Sequence, residues 1–228
     1  MVKIIKLFVA LILLPTAFFL LCETVVLLFS VLGNFHSAIS FILGGVIYSF
    51  IHFLLYDFSR IYVFGHEMTH AFAALLCGCR IKDISVGKDS GFVKMDKCNA
   101  FVVLAPYFVP LYVLAASLVY MIADLFYPMA SFRDVFLFVI GFFTAFHFIQ
   151  TFKTLFEADQ PDLKLAGGKV FSVIMILLAN LLVLCLVLKG IFPEQISLVK
   201  AGKNILYGTL NLWRIIVNYI VERVINTI

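Results

Sequence analysis

Residues 66 to 70 read His-Glu-Met-Thr-His and sit inside an apolar stretch, with Ile61-Tyr-Val-Phe64 before them and Ala71-Phe-Ala-Ala-Leu75 after. Side chains four apart share one face of a helix, so His66 and His70 can present imidazole nitrogens to one metal ion with Glu67 beside it. Two imidazoles suit Zn2+, whose catalytic sites take a third protein ligand and leave a position for water. Zinc lowers the pKa of such a water, and Glu67 is placed to take its proton during attack on a peptide carbonyl. With five His and five Glu in 228 positions, chance supplies about two such patterns per thousand chains of this make-up. Three ionisable side chains in an apolar helix are costly in a membrane unless paired, metal-bound or wet. Metal binding accounts for them; a plain structural cluster leaves that cost unexplained.

A third ligand must come from elsewhere in the chain. The polar segment Glu157-Ala-Asp159-Gln-Pro-Asp162 offers three carboxylates. Two membrane crossings, over 100–127 and 134–156, return this segment to the side on which the His66 helix ends. The residues alone leave the choice open, because Asp159 or Asp162 can equally cap a helix beginning near Gly168. His147 and Gln150 lie one turn apart on the preceding helix and can line one cavity. For His147 the spacing allows either a packing role or one in orienting a ligand or stabilising a developing oxyanion.

The elements that hold these residues are set by composition. The chain is 64% hydrophobic and 13% charged, against about 25% charged in soluble domains. Several apolar stretches exceed the roughly 20 residues that cross a bilayer. The expected fold is an all-α polytopic membrane protein in one membrane-embedded domain, 1–228. Its helices fall near 4–32, 37–56, 59–77, 100–127, 134–156 and 170–189. The first, with Pro15 and Glu23, reads as a retained membrane helix rather than a cleaved leader. Residues 80–99 differ in texture: Ile84 and Val86, then Val93 and Met95, alternate with polar residues about Lys88-Asp-Ser-Gly91, which predicts a β-hairpin. In the tail, 204–228, Asn211, Arg214, Asn218 and Glu222 form one polar stripe, with Tyr207, Trp213 and Tyr219 as interface anchors. An amphipathic helix results, with a place on the membrane surface favoured over a spanning one.

The net charge of +4 is dispersed without a basic block, so the lipid bilayer is the expected partner and nucleic acid is not. Five scattered cysteines give no disulfide framework, and Cys77-Gly-Cys79 has no second pair to make a metal site. Lysines and arginines over 80–97 and at 153, 164 and 169 favour a cytoplasmic active-site side, against Lys3 and Lys6.

Taken together, Gly65-His-Glu-Met-Thr-His-Ala-Phe-Ala-Ala-Leu-Leu-Cys-Gly78, a hairpin containing Ile84-Ser-Val-Gly-Lys-Asp-Ser-Gly-Phe-Val-Lys-Met95, and an Asp two helices later resemble the site-2 protease family of intramembrane zinc metalloproteases. The resemblance spans residues 58–168. In that family the third ligand is an Asp preceded by proline and followed by glycine, which selects Asp162, after Pro161 and before Gly167 and Gly168, over Asp159. The family's Asn-Pro-x-x-Asp-Gly sequence is absent, and its Gly-Pro-rich middle helix has as counterparts only Asn99 and Leu104-Ala-Pro106-Tyr-Phe-Val-Pro110. The resemblance implies a zinc endopeptidase acting on membrane proteins, with the hairpin holding substrate in extended form. Its alternative is an inactive, protease-like scaffold that binds membrane proteins.

Overall fold

The computed structural model describes residues 2–33, 35–87, 91–96, 99–157 and 160–226. In chain order the helices and strands are α1 (Val2–Leu32), α2 (Phe35–Leu54), α3 (Ser59–Leu76), β1 (Ile81–Val86), β2 (Gly91–Met95), α4 (Ala100–Leu104), α5 (Leu111–Phe126), α6 (Arg133–Glu157), α7 (Pro161–Ala166), α8 (Lys169–Ile191) and α9 (Leu198–Ile225). Short 3-10 turns at Ala105–Tyr107 and Met129–Phe132 complete the set. The only sheet among the described residues is the β1–β2 pair, as expected of a helical membrane protein. Ile4–Leu32, Met129–Phe156 and Lys169–Ile191 are each long and apolar enough to cross a bilayer. Two bent pairs raise the count to five if each is one span: Ala38–Leu54 with Ser59–Leu76, bent by 118°, and Ala100–Tyr107 with Leu111–Phe126, bent by 77°.

The chain divides into two compact units. One comprises 1–33 and 173–228, where α1 packs on α9. Gly208 lets α9 approach closely, because a β-carbon there would collide with the Phe19 ring. Helix α9 starts at 198, earlier than the tail pattern suggests, because Ser197 caps it by accepting a hydrogen bond from the Lys200 N–H.

The other unit, 34–172, carries the chemistry-bearing residues. Helices α2 and α6 pack backbone to backbone: a β-carbon on Gly44 would meet the Phe138 carbonyl, and one on Gly141 the Phe41 carbonyl. Such close crossings of small residues are how helices associate in lipid. Helix α3 ends in a Schellman turn, with the Gly78 N–H bonded to the Leu75 carbonyl and the Cys79 N–H to that of Ala74. The turn needs φ +69° at Gly78, a left-handed value that glycine adopts freely.

The hairpin follows directly. It pairs Ile84 with Val93, Ser85 with Phe92 and Val86 with Gly91, with an irregularity between Ile81 and Asp83. Of the turn expected at Lys88–Gly91, residues 88–90 lie outside the described residues, and Gly91 is the first residue of β2. A reciprocal clasp between Arg80 and Asp96 closes the base: the Arg80 N–H donates to the Asp96 carboxylate, and the Asp96 N–H to the Arg80 carbonyl.

Two expectations need correction. The continuous helix over 100–127 is broken: α4 gives way to a 3-10 turn and α5 starts anew after Pro110. Pro106 and Pro110 supply no N–H, and proline disfavours helical backbone in the residue before it. The segment 157–168 is also not a plain loop, since Pro161 starts the short helix α7 and Asp162 sits in its first turn. Helix α8 begins beyond it, so Asp162 does not cap α8.

Candidate metal centre

Helix α3 places His66 and His70 one turn apart, with ring centroids 4.9 Å from each other. Helix α7 packs on α4 and brings Asp162 to both rings. Its Oδ2 lies 3.5 Å from His66 Nε2 and 3.5 Å from His70 Nε2. All three donor atoms lie within 4.8 Å of one another, the one His/Cys/Asp/Glu group of this kind among the described residues. A charge-assisted hydrogen bond would draw nitrogen and oxygen to about 2.7–2.9 Å. Ligands about 2.05 Å from a shared ion at tetrahedral angles stand about 3.3 Å apart, which the observed distances approach. The donor set therefore fits a zinc ion.

Neighbouring groups orient the three side chains. His70 Nδ1 is 3.0 Å from the Val102 carbonyl of α4, a contact that requires the Nδ1–H tautomer and leaves Nε2 its lone pair. Asn99 fixes that segment by accepting from the Val102 N–H at 2.9 Å. The Tyr107 hydroxyl donates to Asp162 Oδ2 at 3.0 Å, and the Tyr107 ring packs edge-on against His66.

Glu67 is buried at 6% exposure and lies against the start of β2. A β-carbon on Gly91 would come within 2.5 Å of Glu67 Cγ and 2.9 Å of the Ser85 carbonyl. Glycine is thus required where the hairpin meets the carboxylate. These groups border a cavity of about 790 Å³, which His66, Glu67, His70, Asp162 and Gln150 line together with β2 from Gly91 to Met95.

His147 and Gln150 do not share this space. Gln150 lines the large cavity, whereas His147 lines a separate pocket of about 20 Å³ behind His66, with Thr69 and Tyr112. Three residues along a helix turn through about 300°, and the remaining 60° or so divides the two side chains around His66. Asp159, the other carboxylate considered as a ligand, lies outside the described residues. Tyr107, Val102 and Gly91 were not legible as site residues. Only the prolines flanking Tyr107 hint that its segment departs from a regular span.

A family model described as Peptidase M50B-like matches residues 36–157. The match runs from α2 to the end of α6, covering the His66–His70 helix and the hairpin and stopping short of Asp162. No curated protein and no solved structure matches the chain.

Proposed function

Because the chain belongs to the Peptidase M50B-like family, we propose that it is a zinc-dependent intramembrane endopeptidase that cuts peptide bonds in or near transmembrane segments of membrane proteins. The observation that carries this reading is the convergence of His66, His70 and Asp162 beside the Glu67 carboxylate, in a cavity with a β-strand along one wall. His66 Nε2, His70 Nε2 and an Asp162 carboxylate oxygen would hold the ion. Zinc in such a set supplies a Lewis acid and a water of lowered pKa.

The protein's own groups account for the remaining steps. Glu67 takes a proton from the attacking water as its oxygen bonds to the scissile carbonyl carbon. It then passes that proton to the amide nitrogen as the C–N bond breaks, so acid and base roles fall to one carboxylate. Strand β2 lies where an unwound substrate segment could pair along it, satisfying backbone groups that a partly dry site leaves unsolvated. Hydrophobic cavity walls from Val63, Val93, Val103 and Leu165 suit the apolar side chains of such a segment.

The test compares wild type with Glu67→Gln, each purified at full length and supplied with transmembrane peptides in lipid nanodiscs. Cleavage should fall by roughly 10³-fold in the variant, with zinc content unchanged. Absence of Glu67-dependent cleavage of the peptides, with zinc bound to both proteins, would instead favour a non-catalytic scaffold. The positive charges around the hairpin support a cytoplasmic active-site side, which a reporter fused within the hairpin turn would locate.

A further inference from the structure

The large cavity extends well beyond the metal centre. Ser59, Tyr62, Val63, His66, Glu67 and His70 all line it, and their alternating spacings of three and one make a single stripe along α3. Ser59 opens that helix and stands seven residues before His66, about 10.5 Å along the axis. Lys153 of α6 lines the cavity at this far end. Its Nζ donates to Ser59 Oγ at 3.4 Å and to Asp57 Oδ2 at 2.6 Å, which fixes the ammonium beside the first turn of α3.

An ammonium carries three N–H donors, and these two contacts occupy two of them. Its ion-pair partner does not line the cavity, and the Asp57 side chain is 51% exposed. A pair so open to water is weak, so the cation can share or exchange that carboxylate at little cost. The acids that do line the cavity are Glu67 and Asp162, both engaged at the metal centre. Lys153 also lies three residues short of the end of the apolar segment Met129–Phe156. The polar flank of a substrate's transmembrane segment would lie at that depth.

We propose that Lys153 determines where this protein cuts, by receiving a substrate carboxylate about three residues from the scissile bond. Three residues of extended chain cover about 10 Å, which matches the separation of Ser59 from His66 along α3. The proposal rests on the endopeptidase reading. An Asp or Glu side chain and a free C-terminus offer the same chemistry, and the substrates below separate them.

Full-length wild type, Lys153→Gln, Lys153→Glu, Asp57→Asn and Lys94→Gln are assayed in nanodiscs, with zinc content measured in parallel. The substrates are one transmembrane peptide with Glu, Gln or Lys placed in turn at each flanking position, made with free and with amidated C-termini. Mass spectrometry of the products locates the cut. Wild type should favour Glu over Gln by roughly 10-fold in kcat/KM when that residue stands about three positions from the cut. A preference that follows the free C-terminus instead assigns the terminal carboxylate as the ligand. In either case it should vanish in Lys153→Gln and turn toward the Lys peptide in Lys153→Glu. It should survive in Asp57→Asn, which keeps the cation, and in Lys94→Gln, which removes the other lysine on the cavity wall. Its loss in Asp57→Asn would make the ion pair a brace for the bend between α2 and α3 and overturn the proposal. Its loss in Lys94→Gln alone would overturn it in favour of β2. If wild type shows no Glu67-dependent cleavage, the endopeptidase reading falls and this proposal with it. Glu67-dependent cleavage that is indifferent to the carboxylate removes this proposal alone.

Discussion

Helices α6 and α8 are both apolar enough to cross a membrane, yet they treat buried polar side chains in opposite ways. On α1 and α8 the buried Thr24 and Asn180 turn back onto their own helices, although Thr209 of α9 in the same unit does not. The Thr24 hydroxyl donates to the Leu20 carbonyl at 2.7 Å, and the Asn180 amide to that of Ile176 at 2.9 Å. In the 34–172 unit, Thr144 Oγ1, Gln150 Nε2 and His66 Nδ1 are buried without a hydrogen bond, the last two on side chains lining the large cavity. Back-bonding is the inexpensive way to carry a hydroxyl or amide through lipid. Departing from it beside the cavity marks where partners other than the chain's own backbone are to be met.

This contrast can be broken by substitution, and the largest effect is expected at the hairpin. Gly91→Val places a side chain into the space occupied by Glu67 Cγ and the Ser85 carbonyl. Peptide cleavage should drop by on the order of 100-fold while zinc stoichiometry is unchanged, since a displacement of about 1 Å at a reacting group has that consequence. A Gly91→Val protein with normal turnover would detach the hairpin from the chemistry.

Tyr107→Phe removes the donor to Asp162 and leaves the ring against His66. Loss of such a supporting hydrogen bond typically weakens metal binding by about 10–100-fold. Competition with a graded series of chelators measures the shift, and an unaltered affinity would show that Asp162 is held by packing alone. The smallest effect belongs to the other unit. Thr24→Val deletes a hydroxyl that bonds its own helix and the weakly polar Cys185 sulfur at 3.4 Å, so thermal unfolding should shift by no more than about 1 kcal/mol and zinc content and cleavage should not change.

These regions also differ in how far the sequence discloses them. The pairing of His66 with His70 follows from helical periodicity alone, and the hairpin from alternation about a turn, because both depend on residues close in the chain. The chain break at Ala105–Pro110 was obscured because its prolines lie in a run whose hydropathy is that of a membrane span. Tyr107 is therefore unremarkable as sequence, although the 77° bend accompanies its placement against Asp162 and His66. Asp162 could be chosen over Asp159 only through family resemblance. Its reach to the histidines depends on α7 packing against α4 and on the 3-10 turn after it, where Tyr107 meets Asp162 from 55 residues away along the chain, and no local pattern encodes that.

The central claim is that Asp162 completes a zinc site with His66 and His70. The direct measurement is zinc stoichiometry, with X-ray absorption at the zinc edge, on the purified full-length wild type, Asp162→Ala and Asp159→Ala. The structure predicts one zinc with two imidazole nitrogens and a carboxylate oxygen in wild type and Asp159→Ala, and loss of stoichiometric zinc in Asp162→Ala. Full zinc occupancy with an unchanged ligand set in Asp162→Ala would contradict it.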